Sequence, residues 1–529
     1  GGGANTAIGY AALNALNVNA LGYNVAVGHE AGAVMTTGID NVIIGGLAGD
    51  AMTTGFSNTY VGKNSGGATT IGNSNVAIGD NALLTNVAAD RNIAIGVNAL
   101  YSMTAASTAD HYNIGIGYNA GYAITSGTLN LITGSFAGDS LTTGERNTVY
   151  GQYALSEEDG NGYNVAVGYA ALMNLNAGAD AFNVAMGYNA GQALTTGLYN
   201  TIMGGLAGDA LTTGNKNVAI GYAALSDEDG HTGNTAVGAY ALQNQNAGAD
   251  AYNTAVGYQA GQNISTGLYN TILGSYAGDA LTSGGHNVAI GYYALSTEDS
   301  HGCNVAIGRE ALEVQNAGAN AYNVAIGYQA GHAVTNGIEN TLVGSLAGDA
   351  ITGGMESTFI GYDAGGLTTD SERCTFIGAE AGNALNYSGE NNTAIGYDAE
   401  PSAVAIDDEF TLGNTNIGTL RCQVNTITLI SDERDKTDIQ DIDYGLDLIE
   451  NLRPRKFTWN SRNGGKQGQK EIGFIAQELQ EVDDEYLNFV LDSNPDRLEA
   501  GWMQLVPVLV KAVQELSAEV KQLKQQLNN

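Results

Sequence analysis

"NVAIGY" occupies residues 217–222, and the same six letters return at 287–292 and 323–328. Close variants recur through most of the 529-residue chain. Asn leads at 21 positions from Asn5 to Asn392, and Ser357 and Cys374 take its place in two more, which makes 23 units. Most units are 17 residues apart, some 18, 19 or 21. A 70-residue period overlies them, through Asn113, Asn183, Asn253 and Asn323, and again through Asn164, Asn234 and Asn304. A fixed period of this length marks a solenoid. One unit cannot bury its apolar face alone, whereas stacked units can.

Within a unit the second residue is Val, Thr or Ile and the fourth is aliphatic, as in Ile220, Val237, Leu273 and Ile290. β-Branched residues two apart read as a short strand with that face inward. The third residue is usually Ala and the fifth Gly, so the opposite face should be nearly flat. The unit continues as "YAAL" (222–225) or "LAGDALTTG" (206–214), which fits a second short strand and a Gly turn. The recurrent "TTG" reads as turn chemistry. Helix is a poor alternative, since each fixed Gly would cost about 1 kcal/mol. The leading Asn suggests a ladder of side-chain amides bonding the backbone of adjacent turns. The expected fold is therefore mostly β, a repetitive β-solenoid with two short strands per turn. Its 23 rungs, spaced about 4.8 Å apart, would span roughly 110 Å.

"NVAIGYAAL" (217–225) and "NTAVGYQAG" (253–261) resemble the head repeats of YadA-type trimeric adhesins. The resemblance covers roughly residues 1–400 and implies a left-handed β-roll packed as a homotrimer. The units here are longer than the family's usual repeat, so the likeness lies in the strand motif more than in the loop.

Charge is uneven along the chain. Of 19 Lys+Arg, 6 precede residue 421 and 13 follow; of 54 Asp+Glu, 35 precede and 19 follow. The first part thus carries 6 − 35 = −29 and the tail 13 − 19 = −6. So acidic a surface repels phosphates and anionic lipid, so no nucleic acid and no membrane is expected as a partner. No run of 18 apolar residues could insert into a bilayer. The opening Gly-Gly-Gly-Ala lacks the basic start and apolar centre of a signal peptide. Cys303, Cys374 and Cys422 are far apart, form neither a disulfide framework nor a metal spacing, and read as ordinary thiols. The loops "SEEDGNG" (156–162), "SDEDGHT" (226–232) and "STEDSHG" (296–302) recur at the 70-residue period. Their carboxylates match no calcium motif and read as solvated acidic loops, so no metal and no cofactor is expected. A glycosidase would need one sunken pair of carboxylates, which a repeated surface does not offer.

The repeat dissolves after Asp398. Residues 401–430 read as a β neck, with alternation at Leu420, Cys422 and Val424. Residues 438–452 place Ile442, Leu446 and Ile449 on one helical face, ended by Pro454. "RKFTWN" (455–460) and "EIGFIA" (471–476) read as strands flanking a turn at 463–468, and "AQELQEV" opens another helix. Val506, Leu509, Val513, Leu516, Val520, Leu523 and Leu527 step by 3 and 4, an a/d seam too short to persist as an isolated coiled coil. The expected third domain, 431–529, is a small α+β domain ending in that coiled-coil helix.

"SDERDK" (431–436), "LIENLRPRKFTW" (448–459), "GFIAQELQEV" (473–482) and "LVPVLVKAVQEL" (505–516) closely resemble, in order, the C-terminal intramolecular chaperone of phage tail spikes and fibres, peptidase S74. The resemblance implies a domain that trimerises, guides assembly of the fibre ahead of it and then cuts itself off. It implies Ser431 as nucleophile, Lys436 as its base, and a cut between Ile430 and Ser431. Arg434 is the candidate cation for lowering the lysine's basicity. A serine hydroxyl needs such a base, and attack on the preceding carbonyl is intramolecular. Ile430 is β-branched and crowds that carbonyl. The functional expectation is a homotrimeric phage fibre or appendage shaft, made in the host cytoplasm and carried on the virion tail, which meets an unidentified host cell-surface receptor. The rival expectation is a bacterial trimeric surface adhesin without enzymatic activity.

Overall fold

Strand length is set by the residue that ends each strand. After three extended residues comes Gly221, at φ 134°, where an added Cβ would lie 2.5 Å from the Gly238 carbonyl. Gly204, at φ 136°, is held as closely against the Gly221 oxygen. Only glycine fits such a column, and the extended run stops there. The computed structural model describes residues 3–18, 21–104, 110–383, 387–417, 419–421, 431–460, 467–491, 498–501 and 503–528. It divides into two compact units, Gly1–Ser345 and Leu346–Asn529.

The first unit holds twenty three-residue strands, from β1 (Thr6–Ile8) to β20 (Thr341–Val343), one after each leading Asn. Consecutive strands pair in parallel with no register shift. β12 (Thr201–Met203) meets β13 (Val218–Ile220) as Thr201↔Val218, Ile202↔Ala219 and Met203↔Ile220. In the second unit β21 (Thr358–Ile360), β22 (Thr375–Ile377), β23 (Thr393–Ile395) and β24 (Phe410–Leu412) pair in the same way. β24 lies beyond the last Asn-led unit. Glu409 precedes it in the Asn place, and its N–H donates to Asn392 Oδ1 at 2.7 Å.

The Asn ladder is present as expected. Asn200 N–H donates to Asn183 Oδ1 at 2.8 Å, and its Nδ2 donates to Gly214 O at 2.8 Å; its own Oδ1 accepts from Asn217 N–H at 2.9 Å. These side chains are buried, each serving the rung before and the rung after.

Two expectations about the rung are corrected. The stretch after the strand is no second strand. Leu206 and Gly208, and likewise Ala223 and Leu225, have positive φ, so the backbone alternates in handedness and curls. It still bonds between rungs, as in Gly208 N–H to Ala224 O and Leu225 N–H to Ala241 O. The faces are also reversed. The middle Ala of each strand, such as Ala185, Ala219 and Ala236, is fully buried inside its own coil. The aliphatic fourth residue faces out, with Ile78, Met186, Val256 and Leu273 each 38–40% exposed. The curled backbone brings its own residues into the same interior, and where one of them is as large as Leu225 only a small side chain such as Ala219 stands opposite.

That interior keeps its volume by compensation. Ile202 is followed six residues later by Gly208, whereas Ala219 is followed by Leu225. Both arrangements are fully buried, and neighbouring rungs stack one on the other. A Cβ on Gly191, one rung before, would lie 2.9 Å from Ile202 Cδ1, so this large side chain also occupies the space above its neighbour's glycine.

The C-terminal elements of the second unit form a separate small core. The expected helix over 438–452 is cut to α1 (Leu446–Asn451), because Gly445, at φ −138° and ψ −125°, and Asp438, at φ 51°, leave helical geometry. β25 (Arg455–Asn460) and β26 (Gln467–Gly473) pair antiparallel, but β26 begins inside the stretch 463–468 expected as the turn and ends before the expected strand 471–476 does. α2 (Ala476–Leu479) and α3 (Leu505–Leu527) follow. Leu479, Leu487, Phe489, Leu505 and Val508 make the core, with Tyr444, Leu448 and Ile449 packed against it. Glu515 of α3 accepts from the Leu446 N–H at 2.7 Å and so joins α3 to the start of α1. α3 turns Leu505, Val508 and Ala512 inward, while Val506, Leu509, Val513, Leu516, Val520 and Leu523 of the seam remain exposed.

Candidate functional site

Ser431 begins a described segment that folds into a single 3-10 turn, Glu433–Asp435. Asp432 caps the turn, accepting from the Arg434 N–H at 2.9 Å through Oδ1. Lys436 closes it, with its N–H on Glu433 O at 3.2 Å. One tight turn between residues five apart folds the lysine side chain back, and Lys436 Nζ donates to Ser431 Oγ. The structure therefore brings together the two residues expected to form the dyad. Both are exposed. A lysine amine serves as a base only when it is deprotonated, and burial or a nearby cation favours that form.

Arg434 pairs with the aspartate that caps the turn. Its Nε and Nη2 meet Asp432 Oδ1 and Oδ2 at 3.0 and 2.6 Å, a two-pronged pairing. Hydrogen bonds from Arg434 hold the Asp432 carboxyl below the usual carboxylate range. The guanidinium thus answers the aspartate beside it. Ile430, on the other side of the expected scissile bond, lies outside the described residues, as do Cys422 and Val424.

Behind this turn the domain is braced by charged pairs. Arg455 of β25 grips Glu478 of α2 at 2.8 and 2.5 Å. Tyr444 donates to Asp484, and that bond raises the phenol to about 12. Among the described residues no helix is long and apolar enough to cross a membrane.

The reading of the acidic loops as solvated needs correction. The central glutamates, Glu158, Glu228 and Glu298, are fully buried, and each folds back on the backbone of its own loop. The signal was present in the spacing. At the position before, Glu157, Asp227 and Thr297 vary, while the next residue is Glu in all three copies.

Residues 431–488 match the family model for the chaperone of endosialidase, Peptidase S74. The match begins at Ser431 and covers the turn, α1, the hairpin and α2. No curated protein matches the chain.

Proposed function

From a C-terminal segment of the chaperone-of-endosialidase type behind a parallel β-solenoid, we propose that the chain forms a homotrimeric phage tail fibre or similar appendage shaft that attaches to a host cell. Its C-terminal domain directs assembly and then releases itself by cleavage before Ser431. The observation that carries this reading is the contact of Lys436 Nζ with Ser431 Oγ at the first residue of the matched segment. In the proposed reaction Lys436, once deprotonated, takes the Ser431 proton. Oγ then attacks the Ile430 carbonyl, and the peptide C–N bond breaks with the proton passing to the new α-amine. The resulting ester is hydrolysed. Attack on an adjacent carbonyl needs no substrate binding, only the right rotamer.

The exposure of both side chains fits a cut that waits for assembly. Covering by neighbouring chains would desolvate the lysine and favour its neutral form. Two apolar surfaces support association. One is the outward aliphatic column of the strands, and the other is the unpaired seam of α3. Seventeen-residue rungs so alike leave little energetic difference between one register and the next. A domain that joins first would set that register.

The test is intact mass of the purified protein beside Ser431→Ala, Lys436→Ala and Ile430→Ala. Wild type should yield a chain ending at Ile430, both dyad variants should remain at 54.4 kDa while still associating, and Ile430→Ala should cleave faster. Cleavage persisting in Ser431→Ala would end the dyad assignment. Trimers absent from all four would end the assembly reading.

A further inference from the structure

Three loops of one design recur at the 70-residue period, and they differ at one residue that matters chemically. In the first, Asn161 donates to Glu158 Oε1 from both its backbone N–H and its Nδ2, each at 3.0 Å, and Ala177 N–H satisfies Oε2 at 3.3 Å. Every oxygen of that buried carboxylate has a partner. In the second, His231 replaces the Asn. Its backbone N–H keeps the bond to Glu228 Oε1 at 2.9 Å, and its Nδ1 lies 2.6 Å from the same oxygen. Glu228 is fully buried, and its Oε2 has no hydrogen-bond partner among the described residues. In the third, His301 stands in that place, with Nδ1 3.6 Å from Glu298 Oε1 and 3.2 Å from the Ser300 hydroxyl, which donates to Asp299 at 2.8 Å and which an ion would displace; among the described residues Glu298 Oε2 is likewise buried without a partner.

A buried carboxylate oxygen left unpaired is costly, and a cation is one way to meet it. A third donor stands beside each pair. Asp229 Oδ1 is 3.7 Å from His231 Nδ1, and the ligand atoms of Glu228, Asp229 and His231 all lie within 4.8 Å of one another, as do those of Glu298, Asp299 and His301. Asp229 is 58% exposed, so an ion can enter from solvent. The backbone oxygen of Asp229 also accepts from Thr212 N–H of the preceding rung, which fixes the loop against its neighbour.

We propose that loops 226–232 and 296–302 each bind one divalent transition-metal ion of the zinc class, through Glu228, Asp229 and His231 and through Glu298, Asp299 and His301. One imidazole nitrogen and two carboxylates, with water completing the shell, suit zinc. Calcium asks for six to eight oxygens and gains nothing from a histidine. The ion takes the place of any proton on Nδ1, so binding releases protons and weakens as pH falls. Loop 156–162 has Asn161 and no nitrogen ligand, and it takes no ion. A further cluster, Glu310, Glu313 and His332, is excluded because Glu310 already accepts from Arg309 and Gln329, each at 2.8 Å.

The experiment is equilibrium dialysis of the full-length protein against micromolar Zn²⁺ followed by elemental analysis, with Co²⁺ absorption spectra in parallel. Wild type should hold one ion for each of the two loops. His231→Asn and His301→Asn should each remove one, and the double variant should remove both together with the Co²⁺ bands. These substitutions install the residue that the first loop already folds with. His332→Asn should leave the metal content unchanged. No bound ion in wild type, equal content in the double variant and wild type, or loss only with His332→Asn would each overturn the proposal.

Discussion

At the scale of single residues, stability rests on polar groups buried at regular intervals along the solenoid. Asn200→Ala would strand two buried backbone partners, the Asn217 N–H and the Gly214 carbonyl, at about 1–3 kcal/mol each. The Asn217 amide should then exchange with solvent at least tenfold faster, equivalent to about 1.4 kcal/mol. Asn200→Ser should do less harm, since Ser357 already serves in this place and accepts from Cys374 N–H at 3.2 Å. Unchanged exchange in Asn200→Ala would mean that the ladder is ornamental. A second residue-scale effect is titration. Burial pushes Asp139 and Asp279 up to about 6, and each has a buried oxygen without a partner among the described residues. Raised carboxyl groups bind protons more tightly folded than unfolded. The stability they contribute is full below the ordinary value near 3.9 and is lost as pH rises through about 6. Wild type should therefore melt higher at pH 5 than at pH 7. Asp139→Asn with Asp279→Asn should raise the midpoint most at pH 7 and flatten the profile between them. A double variant with the wild-type slope would assign that slope to general charge repulsion.

At the scale of the element, the rung is a volume shared between two positions. Ile202→Ala should cost about 2–5 kcal/mol by leaving a cavity. Gly208→Leu should cost about 1–3 kcal/mol by overfilling the same space. The pair together rebuilds the arrangement of Ala219 and Leu225, where Leu already sits at a positive φ. Denaturation midpoints should show the double variant closer to wild type than the sum of the singles, and simple additivity would refute the shared volume. This compensation was written in the letters but unreadable without knowing which way each side chain points. Alternation reveals that a strand has two faces and says nothing about which is inside. Size suggested that Ile220 was core and Ala219 surface, and the curled backbone after the strand reversed that, because it occupies the interior that a larger residue would need. The Asn ladder was legible because its spacing alone demands stacking. The Ser431–Lys436 pair was legible only through the likeness of "SDERDK" to the S74 motif, and the tight turn that brings the two together was not foreseen. Nor was the pairing of Arg434 with Asp432, since sequence does not choose between two nearby acceptors. The buried Glu228 was missed because composition treats every carboxylate in a polar loop as solvated.

For the whole molecule, order of events matters more than final stability. If the C-terminal domain sets register before the rungs close, a chain ending at residue 430 should fail to trimerise when synthesised that way. The same chain should remain trimeric when it is produced by cleavage of an assembled precursor. Sedimentation of the two preparations checks this, and efficient trimerisation of the truncated gene product would show that the domain is unnecessary. The 70-residue period has a further consequence, for how such a gene can change. Asn183 N–H donates to Asn164 Oδ1, and Asn253 N–H to Asn234 Oδ1, with the same 19-residue spacing. Residues 183–252 can therefore be excised or duplicated, and each remaining rung still meets a neighbour of the kind it had before. Length becomes a quantity that gain or loss of a 70-residue copy can adjust in whole steps, with no new kind of rung-to-rung interface to invent.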